Sequence, residues 1–139
     1  MTRSVARYLL DTDAVIDYFK GFPSSVELIQ QLFQQGETLC TCAVVVAEVY
    51  AGLNPTERSR GEELLGSLRF FATSPGAARQ AGLWRFGFAR QGLQLATTDC
   101  LIAAIAYERD ATLVTGNTDD YPMPELRRIR LPRRQPGSR

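Results

Sequence analysis

The 139-residue chain contains no histidine. That absence removes the usual general base of hydrolases, Ser-His-Asp and Cys-His nucleophilic sites in their ordinary form, and every histidine-ligated metal. Lysine occurs only as Lys20. Cysteine is scarce: Cys40 and Cys42 lie in an apolar run and Cys100 stands apart, without the further Cys or His that a zinc site needs. These residues read as small buried thiols rather than a disulfide framework. Apolar runs meet a charge or a break well before the roughly 18 residues of a membrane span, and no signal-peptide pattern opens the chain. A cytoplasmic protein with no membrane segment is the expectation. Chemistry, if any, must rest on carboxylates, hydroxyls, arginine or a bound metal.

Apolar residues make up 45% of the sequence, a globular value, and the length suits one domain with a real core. The net charge of +1 hides an asymmetry. Arg127, Arg128, Arg130, Arg133, Arg134 and Arg139 all follow Glu125, the last acid, while the remaining ten basic residues face fifteen acids. The body is therefore −5 and the C-terminal segment +6. Two regions follow: a domain over 1–131 and a basic, flexible tail over 132–139, whose Pro, Gly and Ser favour solvation.

The pattern predicts alternating strands and helices. Arg7 to Leu10 reads as a strand, and Thr12 or Asp13 caps a helix through Val15, Ile16 and Phe19. Gly21-Phe22-Pro23 breaks it, and Ser24 or Ser25 caps a second helix that Gly36 ends. Thr38 to Thr41 suits a strand, followed by a helix that contains Glu48 and stops at Gly52. Thr56 to Leu68 fits a helix, Arg69 to Ala72 a strand and Pro75 to Gln91 a helix. Thr97 or Thr98 caps the apolar helix DCLIAAIAYER; Ala111 to Thr115 is a buried strand, Asn117 to Tyr121 a loop and Arg128 to Leu131 an edge strand. Such alternation implies an α/β domain with a parallel sheet covered on both faces, whose ligands gather at the carboxyl ends of the strands.

Several polar residues are badly placed for simple solvation. Asp11 ends a buried strand, Glu48 lies inside CAVVVAEVYAGL, Asp99 opens an apolar helix, and Asn117, Asp119 and Asp120 follow the strand ATLVT. Singly, Asp11 reads as a cap, Asp99 as an acid at the positive end of a helix, and Asp119 and Asp120 as loop acids. Glu48 resists that treatment, because an unpaired buried carboxylate costs several kcal/mol. Together they converge on one strand-end locus. Clustered carboxylates repel unless protons or cations intervene, and oxygen ligands favour Mg²⁺ or Mn²⁺, the ions of phosphoryl chemistry.

In this order, LLDTDAVIDY, CAVVVAEVYAGL, GLQLATTDCLIAAIA and LVTGNTDDYP resemble the PIN domain, and within it the VapC-type toxin ribonucleases of toxin–antitoxin pairs. The likeness runs from Tyr8 to about Leu131. It implies a single α/β/α domain, a PIN-like fold with a central parallel sheet, and Mg²⁺- or Mn²⁺-dependent hydrolysis of RNA phosphodiester bonds. The implied metal ligands are Asp11, Glu48, Asp99 and Asp120, with Asn117 completing the catalytic set beside them. Asn117 stands where many relatives carry an acid, which bears on a second ion. Asp13 is implied to support the ligands from behind, with Thr12, Thr98 and Thr115 as hydroxyl neighbours. The resemblance further implies a homodimer inhibited by a VapB-like antitoxin lying along a groove beside the site. Tyr18, Phe19 and Phe22 suit such a groove, though Phe19 suits the core equally.

Two other readings stand beside this one. A haloacid-dehalogenase-type phosphatase would use Asp11 as nucleophile and Asp13 as general acid. It lacks a late lysine and leaves Glu48 unexplained. A PIN-like module that has lost catalysis would bind a partner only.

Overall fold

The structure, a computed structural model, describes residues 5–132. The expected basic tail therefore lies outside the described residues, apart from Pro132. Strand β1 (Arg7–Leu10) is followed by helices α1 (Thr12–Phe19) and α2 (Pro23–Gln34), then strand β2 (Thr38–Cys42), helices α3 (Ala43–Gly52) and α4 (Arg58–Gly66) and strand β3 (Arg69–Phe71). Helices α5 (Pro75–Arg90) and α6 (Thr97–Glu108), strand β4 (Ala111–Thr115), a short 3₁₀ turn (Thr118–Asp120) and strand β5 (Arg128–Arg130) complete it. The sheet runs β3-β2-β1-β4-β5 and every pairing is parallel.

β1 is the central strand, and its side chains must be apolar toward both layers. Leu9 and Leu10 are accordingly both fully buried, as are Leu113 and Val114 on the neighbouring β4. Burying side chains of this size stabilises the fold by about 1.5–3 kcal/mol each. Right-handed crossovers put α1 to α4 on one face and α5 with α6 on the other. The packing agrees: α1 touches α2, α3 and α4, and α5 lies along α6. α3 also meets α6. Cys40, Cys42 and Cys100 are free and buried, as expected.

Four helix starts differ from expectation. α1 is capped by Asp11, whose side chain accepts from the Thr12 N–H, rather than by Thr12 or Asp13. α2 begins at Pro23, one residue ahead of the serines, because proline's fixed φ suits the first helical position; Ser24 and Ser25 lie inside the helix. α6 takes Ala96 as its capping residue, so Thr97 and Thr98 already belong to the first turn. α4 is shorter than expected at both ends, since Asn54 closes a turn with Glu57 before the helix begins. The segment expected as a loop at Asn117–Tyr121 contains the 3₁₀ turn.

The order of strands reverses between β1 and β4. Chain entering from β1 moves to β2 on one side, while β4 and β5 occupy the other. The residues just past these two strands, Asp11 and Gly116-Asn117, flank the crevice that such a reversal opens.

Candidate active site

Asp11 leaves β1 at the point of strand reversal and is only 7% exposed. Its Oδ1 accepts from the Thr12 N–H at 2.7 Å. Its Oδ2 accepts from the Thr115 hydroxyl at 2.8 Å and from the Tyr121 hydroxyl, also at 2.8 Å. Thr115, fully buried at the end of β4, accepts in turn from the Asn117 N–H at 3.1 Å. Thr12 presents its hydroxyl to Glu48 Oε1 at 2.6 Å, which links the acid on α3 to the acid after β1. Tyr121 Oη also lies 3.3 Å from Asp99 Oδ1 on the first turn of α6. Asp11 is thus one hydrogen-bonding residue away from both Glu48 and Asp99.

Asp11, Thr12, Asp13, Ile16, Glu48, Asp99, Asn117 and Asp120 line one cleft of about 280 Å³. Asp13 forms part of its wall and is tied to the backbone behind it. Its Oδ2 accepts from the Gly116 N–H at 2.8 Å, while Oδ1 is buried with no hydrogen-bond partner among the described residues. Gly116 must be a glycine for this contact, because a Cβ there would stand 2.7 Å from Asp13 Oδ2.

The electrostatics follow from acids withdrawn from water beside one another. Burial, and then the charge of Asp11, raises Asp13 to about 6. Burial, followed by the charges of Asp11 and Asp120, raises Asp99 to about 6 as well. Asp11 is raised too, chiefly by burial, although the hydrogen bonds from Thr115, Tyr121 and Thr12 pull the other way. Such a group holds protons or a cation more readily than an isolated carboxylate does. Its donors are oxygens of carboxylates, amide and hydroxyls, the class that a hard divalent ion takes and a softer metal does not. Among the described residues no three acids or cysteines are arranged as a group that could hold a metal ion as they stand. The cleft gathers oxygen donors of the right class, although they do not form a closed ligand set.

The family model of the PIN domain matches residues 8–127. The chain belongs to the PIN domain family. Within that family, Ribonuclease VapC19 of Mycobacterium tuberculosis is 30% identical over 121 residues, spanning 85% of this chain and 95% of the relative. Ribonuclease VapC10 of the same organism is 30% identical over 131 residues, spanning 94% and 96%. VapBC2 from Rickettsia felis, solved bound to a promoter DNA fragment, superposes with a TM-score of 0.80 at 24% identity, covering 91% of this chain and 99% of that one. DNA-bound VapBC from Salmonella typhimurium gives 0.78 at 25% identity, covering 91% and 98%. This PIN domain is thus similar to VapC chains over nearly its whole described length, and the single α/β/α fold expected from its motifs is the fold it has.

The five residues singled out in the sequence, Asp11, Glu48, Asp99, Asn117 and Asp120, all line the same cleft. Asp119 does not: it is exposed and reaches toward Arg130 at 3.9 Å. Of the three threonines expected as hydroxyl neighbours, Thr12 and Thr115 bond the acids, whereas Thr98 is exposed on α6. The phosphatase alternative needs Asp13 free to act as an acid on a substrate. Here its Oδ2 is held by the Gly116 backbone, and Glu48, which that alternative leaves idle, stands in the cleft. Tyr18 and Phe19 line a separate groove of about 320 Å³ with Phe33, Arg60 and Leu64, and the Arg60 guanidinium sits over the Phe19 ring at 5.1 Å. Phe22 is not part of that lining; it precedes Pro23 as the capping residue of α2.

Sequence reasoning missed Tyr121. Its ring is 1% exposed and its hydroxyl reaches two of the acids of this PIN domain. An aromatic after two aspartates and before a proline carries no pattern that separates a core tyrosine from a site tyrosine. Only the geometry does.

Proposed function

We propose that this chain is a divalent-cation-dependent ribonuclease of the VapC type, the toxin of a toxin–antitoxin pair. The observation that carries the reading is the cleft itself: carboxylates from the end of β1, from α3, from α6 and from the turn after β4 meet at the strand reversal of a PIN domain. Asp11, Glu48, Asp99 and Asp120 would hold Mg²⁺ or Mn²⁺, and no histidine is needed. When bound, such an ion neutralises the acidic cleft and supplies Lewis acidity at a phosphodiester.

The remaining work falls to the chain's own groups. Thr12 and Tyr121 keep Glu48 and Asp99 in register with Asp11. The Asn117 side-chain amide donates toward a phosphate oxygen, and the Asp120 carboxylate accepts a proton from the attacking water and aims it at phosphorus. Bond formation from that water oxygen to phosphorus and cleavage of the opposite ester bond leave the RNA in two pieces. The leaving oxygen takes up a proton from solvent, since the cleft is open. RNA, a polyanion, approaches an acidic cleft only once cation charge offsets it.

A VapB-like antitoxin as partner is supported by the VapBC relatives, and the groove at Tyr18 and Phe19 offers an apolar floor with an arginine rim at the far end of α1 from the cleft. The homodimer and a cytoplasmic site of action belong to the same reading. Among the described residues no helix is long and apolar enough to cross a membrane.

Cleavage of total RNA by the purified chain tests this directly. Activity requires Mg²⁺ or Mn²⁺ and stops with EDTA, and Glu48→Gln and Asp99→Asn each lower it by at least about 100-fold, more than the loss typical of an outer-shell partner. Undiminished cleavage in EDTA refutes the cation requirement; no cleavage by the wild type under any cation favours the inert binding module.

A further inference from the structure

We propose that Tyr121 is a positioning residue whose hydroxyl sets the spacing of Asp11 and Asp99 and so determines how tightly the cleft holds a divalent cation. The proposal rests on the cation-dependent nuclease reading above and deepens it.

Three observations carry it. The first is rigidity. The residue is 1% exposed and belongs to the packed core, so Oη is a fixed point rather than a mobile tip. The second is that Oη stands between acids from unrelated elements: 2.8 Å from Asp11 Oδ2 at the end of β1 and 3.3 Å from Asp99 Oδ1 on α6. A buried phenol that needed only one partner would find it in Asp11 alone. A hydroxyl has one proton to give, so it is shared unequally: the bond to Asp11 Oδ2 is the strong one and the bond to Asp99 Oδ1 the long, weak one.

The third is the accounting at Asp11. A carboxylate offers about four acceptor directions. Oδ2 receives Thr115 and Tyr121, and Oδ1 receives the Thr12 N–H. One direction is left, on Oδ1. Asp11 can therefore present a single oxygen to a ligand, and the Tyr121 hydroxyl is one of the two groups that decide which oxygen that is. Without it Oδ2 regains a direction, Asp11 can rotate, and Asp99 loses its fixed distance from Asp11. The cation then meets two acids that must be reoriented on binding.

The test is calorimetric titration of Mn²⁺ into the metal-free full chain and into Tyr121→Phe, at a temperature where circular dichroism shows both folded. The variant is expected to bind Mn²⁺ roughly tenfold more weakly, the low end of the range for residues that orient metal ligands. In an RNA cleavage assay the half-saturating Mn²⁺ concentration rises by the same factor, while the rate at saturating Mn²⁺ is nearly restored. A residue that served only the fold would lower the melting temperature and leave the Mn²⁺ dissociation constant where it was, and that result overturns the proposal. Should Tyr121→Phe lose the fold, 4-fluorophenylalanine at position 121 fills the hydroxyl's space without donating and is read the same way. A wild-type chain that takes up no Mn²⁺ overturns the cation reading and this proposal together; wild-type uptake with an unchanged variant overturns this proposal alone.

Discussion

Asp11 serves both as the cap of α1 and as a wall of the cleft, and the two roles separate under substitution. Asparagine caps helices as well as aspartate does, and the Thr115 and Tyr121 hydroxyls can turn to accept from its amide. Asp11→Asn is therefore expected to melt within a few degrees of the wild type while losing RNA cleavage. Asp11→Ala loses the cap as well and is expected to be less stable by about 1 kcal/mol, measured by urea denaturation. The raised acids make a second prediction. Asp13 and Asp99 titrate at about 6 in the folded chain against an ordinary value of 3.8. Between those values the folded state binds protons that the unfolded chain has released, so the extra stability is complete below about 4 and is lost as pH rises through 6. In EDTA the melting temperature should fall from pH 5 to pH 7.5, and the fall should be smaller in Asp99→Asn. An equal fall in both would remove Asp99 from the coupled group. At this scale the sequence was informative where an acid sat in apolar surroundings, as Glu48 does, and silent at Tyr121, where nothing in DDYP distinguishes a buried ring from a bridging hydroxyl.

At the scale of elements, the order of strands and helices was legible because the hydrophobic periods are clear and Gly36, Gly52 and Pro75 punctuate them. Gly36 shows why: its φ of 77° after α2 is a conformation that glycine adopts without strain. Helix starts were less legible. Ser24, Ser25, Thr97 and Thr98 have the chemistry of caps, but the chain leaves β1 through Asp11 and enters α2 through Pro23, and tertiary placement overrides residue type. Where both agree, at α5, the cap is Ser74, which accepts from the Ala77 N–H at 3.0 Å and donates to Glu108 at the end of α6. Ser74 thereby ties the start of one helix to the end of the helix that carries Asp99. Ser74→Ala should cost about 1 kcal/mol of stability with the denaturant slope unchanged. No loss would mean that the cap and the tie to Glu108 are replaced by water at no cost.

For the whole molecule, the strand order is what turns scattered acids into a site. Asp11, Glu48, Asp99 and Asp120 lie on four different connections, and only a parallel sheet that reverses between β1 and β4 brings those connections to one end. No count of acids along the chain shows this. The alternation of elements suggested it, and the pairing of β1 with β4 accomplishes it. Of the basic C-terminal segment, Arg127, Arg128 and Arg130 are tied into the fold through Asp110, the Met123 and Leu126 carbonyls and Thr118, and 133–139 lie outside the described residues. The account turns on whether that shared end holds a hard cation. Anomalous diffraction from crystals of the chain grown with Mn²⁺ measures it directly. A peak in the cleft about 2.0–2.2 Å from Asp11 Oδ1 and from at least one of Glu48, Asp99 and Asp120 is the predicted result. A cleft without anomalous density at saturating Mn²⁺, or Mn²⁺ bound only elsewhere on the surface, would contradict it.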